Sequence, residues 1–296
     1  MKKNALDCRI RILFRIILGI VLFLLMPLFS TVGTVCGEDG SPLLNSSGVV
    51  NRSISVDPIG KSEGYAAVLY DNRNGLPTSE ANAITETSDG FIWIGSYAGL
   101  IRYDGNTFER IDLGGLASIK CLFVDSRDRL WIGTNDNGVA VMERGEIRKW
   151  GKLDGMKSAH TRAIAEDRSG TIYIATTSGI TMIDPEYHLT QLEGDNISEA
   201  NMRDLRMSKD KVIYGTTDSG EIMIIRDGIL LKYLSLDDSP IGRAGTIIPD
   251  PETEGRIYME AGDFGLYYVD LSNGITVLEK IEIDPLIYLK AMEYIE

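Results

Sequence analysis

A tetrapeptide that returns at a near-constant interval constrains this chain more than any other feature. Trp93-Ile94-Gly95-Ser96 comes back as Trp131-Ile132-Gly133-Thr134, as Tyr173-Ile174-Ala175-Thr176, as Ile213-Tyr214-Gly215-Thr216 and, weakly, as Met259-Glu260-Ala261-Gly262. The steps from Gly95 to Gly133, Ala175, Gly215 and Ala261 are 38, 42, 40 and 46 residues. That period suits a four-stranded blade and is too long for most other solenoids. It means an all-β fold, a β-propeller of four-stranded blades.

Within the first unit, 81–112, the strands follow from alternation and turn chemistry. Residues 82–86 form the innermost strand, Asp89-Gly90 turns the chain, and 91–96 form the second. Ala98-Gly99 turns it again into 100–103, and Asp104-Gly105-Asn106 leads to an outer strand at 107–111. Later copies keep this punctuation, which places blades at 81–112, 118–150, 160–193, 201–234 and 243–280. Glycine recurs in the turns because it adopts left-handed angles without steric cost.

Three runs carry a family resemblance. Gly75-Leu76-Pro77, then Asp89-Gly90-Phe91-Ile92-Trp93-Ile94-Gly95, then Gly99-Leu100-Ile101-Arg102-Tyr103-Asp104-Gly105 resemble the two-component regulator propeller repeat. The second copy keeps Leu130-Trp131-Ile132-Gly133-Thr134 but replaces the third run by Gly138-Val139-Ala140-Val141, and later copies lose the tryptophan. The resemblance implies an extracytoplasmic ligand-sensing propeller, ordinarily followed by a membrane span and a signalling output domain. A homodimer of the full-length sensor is a further expectation.

Residues 1–15 are basic and 16–29 apolar, so 1–36 is an export element that predicts a hydrophobic helix, either a cleaved signal peptide or an uncleaved anchor. The basic flank places the N-terminus in the cytoplasm, the propeller outside and the chain at the cell membrane. Residues 37–64, rich in Gly, Ser and Asn and without periodicity, read as a tether. Residues 65–70 read as an outer strand supplied in advance for the last blade, which would cover an exposed edge. From residue 65 onward the chain has length for about five and a half blades; a sixth would start at 284–296, so the expectation is an incomplete ring.

The formal charge is −13, and since the first 36 residues hold five basic groups and one acid, the remainder carries −17. Such acidity argues against nucleic acid as a partner. Cys8, Cys36 and Cys121 offer no sensible pair within one domain, and Cys121 reads as a small core residue.

No constellation points to catalysis, a metal or a cofactor. His160 and His188 do not have the spacing of a metal pair, and no nucleophile elbow or phosphate loop is present. Asn135-Asp136-Asn137-Gly138 resembles a calcium loop, but its acids are not spaced alternately, so a plain turn is the better reading. Trp93 and Trp131, at matching places in adjacent blades, fit either sugar stacking or packing between blades. One set stands out. Aligning the copies puts Asn82, Lys120, Arg162 and Arg203 at the start of the innermost strands, with Arg243 just before the fifth. Basic groups at a channel mouth would favour an anionic small molecule or oligosaccharide; the alternative is that they pair with acids such as Glu86, Glu166 or Asp204. The expected role is ligand sensing. A polysaccharide-degrading propeller enzyme and a protein-interaction platform are the other readings, the platform needing apolar patches on outer strands.

Overall fold

A computed structural model of the chain describes residues 70–73, 75–78, 80–235, 244–261 and 265–281. The export element, the tether, residues 65–69, Arg243 and the sixth-blade segment lie outside the described residues. These fall into two units, divided after Ser79. In the first, the Leu76 N–H donates to the Asp71 carbonyl at 3.1 Å and the Arg73 guanidinium pairs with the Asp71 carboxylate. Tyr70 there belongs to no strand.

The second unit is a series of four-stranded antiparallel sheets, each a meander in chain order. Blade 1 holds β1 (Ala83–Glu86), β2 (Ile92–Ser96), β3 (Gly99–Tyr103) and β4 (Phe108–Ile111). Blade 2 holds β5 (Ile119–Val124), β6 (Leu130–Thr134), β7 (Val139–Glu143) and β8 (Glu146–Trp150). Blade 3 holds β9 (Thr161–Glu166), β10 (Ile172–Thr176), β11 (Ile180–Ile183) and β12 (Leu189–Gln191). Blade 4 holds β13 (Met202–Met207), β14 (Ile213–Thr217), β15 (Ile222–Arg226) and β16 (Ile229–Leu234). Blade 5 holds β17 (Ala244–Pro249), β18 (Arg256–Ala261), β19 (Leu266–Asp270) and β20 (Thr276–Ile281). Among the described residues the one helical element is a 3-10 turn at Lys152–Asp154, and no helix is long and apolar enough to cross a membrane.

The core lies between blades. Each hydrophobic cluster joins two neighbours: Trp93 and Leu100 pack with Ile119, Leu130 and Ile132; Trp131 and Val141 with Ile164, Ile172 and Ile174. Tyr173 and Ile180 pack with Met202, Leu205 and Ile213, and Tyr214 and Ile224 with Ile247, Ile257 and Met259. Second strands therefore bury both faces, as the uninterrupted burial of β6, β10 and β14 shows. At about 1.5–3 kcal/mol for each fully buried aliphatic or aromatic side chain, these seams dominate the cohesion of the unit.

The seams also explain the repeated glycine. A Cβ on Gly133 would come within 2.5 Å of both the Cys121 Sγ and the Thr161 Cγ2, and one on Gly95 within 2.6 Å of the Ile119 Cγ2. The next blade's innermost strand approaches too closely for a side chain there. Backbone bonds tie the same end together. The Gly138 N–H donates to the Ala159 carbonyl at 2.9 Å, the Thr177 N–H to the His160 carbonyl at 3.2 Å and the Gly179 N–H to the Ala200 carbonyl at 2.8 Å.

Candidate functional site

The three cations picked out by alignment share a backbone feature that alignment does not reveal. In β5, Ile119 pairs with Thr134 and Cys121 with Gly133, so Lys120 is an extra residue without a partner. In β9, Thr161 pairs with Thr176 and Ala163 with Ala175, leaving Arg162 extra. In β13, Met202 pairs with Thr217 and Asp204 with Thr216, leaving Arg203 extra. Each is the odd residue of a β-bulge at the start of an innermost strand. Bulges of this kind re-aim a side chain and interrupt the alternation of faces. In β17 the shift falls between Ala244 and Ile247, where Gly245 and Thr246 bring no charge.

Asn82 differs from the other three. It lies just before a regular β1, in which Ala83 pairs with Gly95 and Ile84 with Ile94, and its side-chain amide donates to the Ile119 carbonyl of blade 2 at 2.9 Å. The sequence alignment joined it to the cations, but its side chain is engaged in bridging two blades.

Two of the acids considered as partners, Glu166 and Asp204, are engaged elsewhere. Glu166 accepts from the Ser126 N–H at 2.8 Å and the Ser126 hydroxyl at 2.7 Å. Asp204 pairs with Arg206 at 3.3 Å and accepts from the Ile247 N–H at 3.4 Å; burial pushes its carboxyl above the ordinary value against these bonds. Arg203 reaches Asp218 at 3.9 Å. Lys120 and Arg162 have no ion-pair partner within 4.0 Å among the described residues. On β18, burial raises the Glu260 carboxyl, opposed by the Thr246 N–H and by the charge of Arg203. This end of blades 2 to 4 thus carries three aligned cations, one of them facing acids on its own and the next blade.

Trp93 and Trp131 are enclosed, 6% and 0% exposed, and belong to the packing between blades 1 and 2 and between blades 2 and 3. Neither offers a ring face to a sugar. Their indole N–H groups serve a purpose missed in the sequence. Trp93 donates to the Thr87 hydroxyl at 2.8 Å, Trp131 to the Asp125 carboxylate at 2.8 Å, and the Tyr173 hydroxyl to the Asp167 carboxylate at 2.9 Å, each partner lying six residues earlier. The carboxylates also accept backbone N–H groups of the first hairpin, from Arg127 and Arg129 or from Ser169 and Thr171. The spacing of six was the legible signal.

The remaining candidates occupy separate places. His160 is exposed just before β9, whereas His188 sits in the β11–β12 turn, bonded to Asp184 at 2.9 Å, at the opposite end of the sheet. Burial pushes the Cys121 thiol up to about 12, in keeping with a packing residue. Asn137 closes the turn after β6 by donating its N–H to the Thr134 hydroxyl at 2.9 Å. Among the described residues no group of three or more His, Cys, Asp or Glu is placed to hold a metal ion.

Against known proteins, the two component regulator propeller model matches residues 75–98 and 113–136. The extracellular domain of a one component system from B. thetaiotaomicron superposes with a TM-score of 0.60 at 18% identity, over 77% of this chain and 33% of that one. Virginiamycin B lyase from Staphylococcus aureus superposes with a TM-score of 0.57 at 15% identity, over 67% of this chain and 69% of that one. At such identities the likeness is one of fold. A type II inositol polyphosphate 5-phosphatase from Arabidopsis thaliana is 26% identical over 171 residues, and the match spans 56% of this chain and 14% of that protein. Matched repeats and fold agree: the chain is a β-propeller that carries the two component regulator propeller repeat.

Proposed function

We propose that the chain is the extracytoplasmic ligand-sensing propeller of a membrane signal-transduction protein, tethered through its N-terminal apolar segment, and that its ligand is an anionic small molecule or oligosaccharide. The observation that carries this reading is the set of three bulges that place Lys120, Arg162 and Arg203 at equivalent positions of successive innermost strands. Regular strands would bring alternate residues to a common face; here the one irregular position in each strand holds the cation. In a chain whose remainder is strongly acidic, such a set concentrates positive potential where an anion could be focused. The repeat family and the fold shared with a sensor's extracellular domain support the sensing role. Acid–base catalysis would need an acid and a base within reach of one substrate, and the two histidines stand at opposite ends of blade 3.

Titration calorimetry with an acidic oligosaccharide and a neutral one of equal length tests the reading. The acidic ligand is expected to bind more tightly, and more weakly as salt rises. Arg162→Gln should cost about 1.5–3 kcal/mol of binding, the range for a charge-assisted hydrogen bond. Unchanged affinity with a lowered melting temperature would overturn the proposal and make Arg162 a structural group.

A further inference from the structure

The opposite end of the blades carries a second feature, independent of the bulges. At the first two seams, the turn after the innermost strand is clasped to the next blade by a serine. Ser88 donates its N–H at 2.8 Å and its hydroxyl at 2.5 Å to Asp128; Ser126 does the same to Glu166. At the third seam the clasp lapses. Arg168 holds the serine's place and reaches only the Asp210 carbonyl, at 3.4 Å. A cleft of about 240 Å³ opens there, lined by Arg168, Asp210, Lys211, Arg226, Asp227 and Glu254.

The charges of this cleft are balanced and mostly uncombined. Arg226 pairs with Glu254. The other four, two cations and two acids, have no ion-pair partner within 4.0 Å among the described residues, although opposite charges line one small space. Lys211 and Asp227 take φ of 63° and 49°, as Asp128 and Arg144 do at 60° and 50° in the same turns of blade 2, so the turns themselves set these angles. Tyr214, buried in the core between blades 4 and 5 and 1% exposed, accepts the N–H of Gly255, the residue after Glu254, at 3.1 Å. Its counterpart Tyr173 accepts from Gly228 and donates to Asp167, but blade 4 has Ser208 where blade 3 has Asp167, and the Tyr214 proton has no acceptor among the described residues.

We infer that this cleft binds a small zwitterion, a free amino acid or short peptide with unblocked α-ammonium and carboxylate. Arg168 and Lys211 would take the carboxylate, and Asp210 and Asp227 the ammonium. A simple anion would meet three acids and a simple cation three bases, whereas a zwitterion satisfies both sets. The volume matches about eight waters at ~30 Å³ each, hence a solute of roughly that many non-hydrogen atoms. Valine and glycylglycine are of this size.

Calorimetry on the full chain with free amino acids and dipeptides, valine and glycylglycine among them, tests the inference. At least one zwitterion should bind at millimolar concentration or below, and its N-acetyl and amide derivatives should each bind at least tenfold more weakly. Lys211→Gln and Asp227→Asn should each weaken it about tenfold, while Lys152→Gln, on the exposed 3-10 turn after blade 2, should leave it unchanged. Absence of binding across the panel, or equal binding of the blocked derivatives, would overturn the inference. The blocked-derivative comparison uses the unaltered protein, so it stands even if a variant fails to fold.

Discussion

The first hairpins of blades 3 and 4 share one backbone plan and differ in what holds them. In both, the residue before the turn receives the N–H of the residue three ahead: Gly170 to Asp167 at 3.2 Å, Lys211 to Ser208 at 2.9 Å. In blade 3 the Asp167 carboxylate then gathers Ser169, Thr171 and Tyr173, joining turn and core. In blade 4 the Ser208 hydroxyl accepts only from the Val212 N–H, at 3.1 Å, and Tyr214 is left to the next blade. Blade 5 solves the problem differently again, with Asp250 accepting from Tyr268 on the third strand. The backbone path survives the loss of the side chains that secure it, because the seams on either side fix the strands. A carboxylate that collects donors stiffens its own turn; a serine leaves a turn free to make a cleft.

Removing a carboxylate where it is most loaded should undo the difference between the hairpins. Asp125 in blade 2 holds Arg129, 3% exposed, through an ion pair at 2.6 Å and also accepts from Trp131. Asp125→Ala leaves a buried guanidinium without its counter-charge, and breaking such a pair costs about 3–5 kcal/mol. The midpoint of urea unfolding should fall accordingly. A loss under about 1 kcal/mol would mean that the Tyr187 hydroxyl, 2.8 Å from Arg129, suffices, and that the carboxylate does not organise the hairpin.

A second substitution sharpens the contrast between the two blades. Tyr173→Phe removes a donor to Asp167 and an acceptor for Gly228, so it should cost about 1–3 kcal/mol because partners are left unsatisfied. Tyr214→Phe removes one bond, to Gly255, and should cost about 0.5–1.5 kcal/mol. Paired thermal melts read the difference. Equal losses would show that the bond from Tyr173 to Asp167 does not distinguish the two hairpins, and no loss in either would leave the tyrosines to act through their rings alone.

The blades were legible in the sequence because both their signals are local. Alternation marks the strands and Gly-containing turns separate them, so the unit at 81–112 could be drawn strand by strand, and the Gly95 and Gly133 positions mark where the next blade crowds in. The bulges were not legible. A bulge is set by the mismatch of two strands, and although Lys120, Arg162 and Arg203 are all basic, they share no neighbour that announces it. Asn82 was misgrouped for the same reason: sequence position matched, but β1 runs without a bulge. The hairpin clasps left a weak trace, a polar residue six before each aromatic, which needs the fold to be meaningful. The outer strands differ among blades: 107–111 and 146–150 mix charges throughout, whereas Ile229 and Leu231 on β16 and Leu278 on β20 are exposed.

The serine clasp that the third seam lacks should contribute little to stability where it is present. At the first seam, the hydroxyl and then the N–H of Ser88 hold the Asp128 carboxyl below its ordinary value. A carboxyl whose folded value is depressed adds stability in full above its unfolded value and loses it as pH falls through the folded one. Ser88→Ala removes the hydroxyl bond and keeps the N–H bond, so the loss of stability on acidification should become smaller without vanishing. Asp104, Asp184 and Asp270 are depressed too and give a shared acid background, so the informative quantity is the difference between the two proteins' melting temperatures as a function of pH. That difference should be largest near neutral pH and close as the pH drops below the ordinary carboxylate range. A pH-independent difference would show that Ser88 acts through the hydroxyl's packing and not through the charge of Asp128, and the serine–acid clasp would then cease to distinguish the first seam from the third.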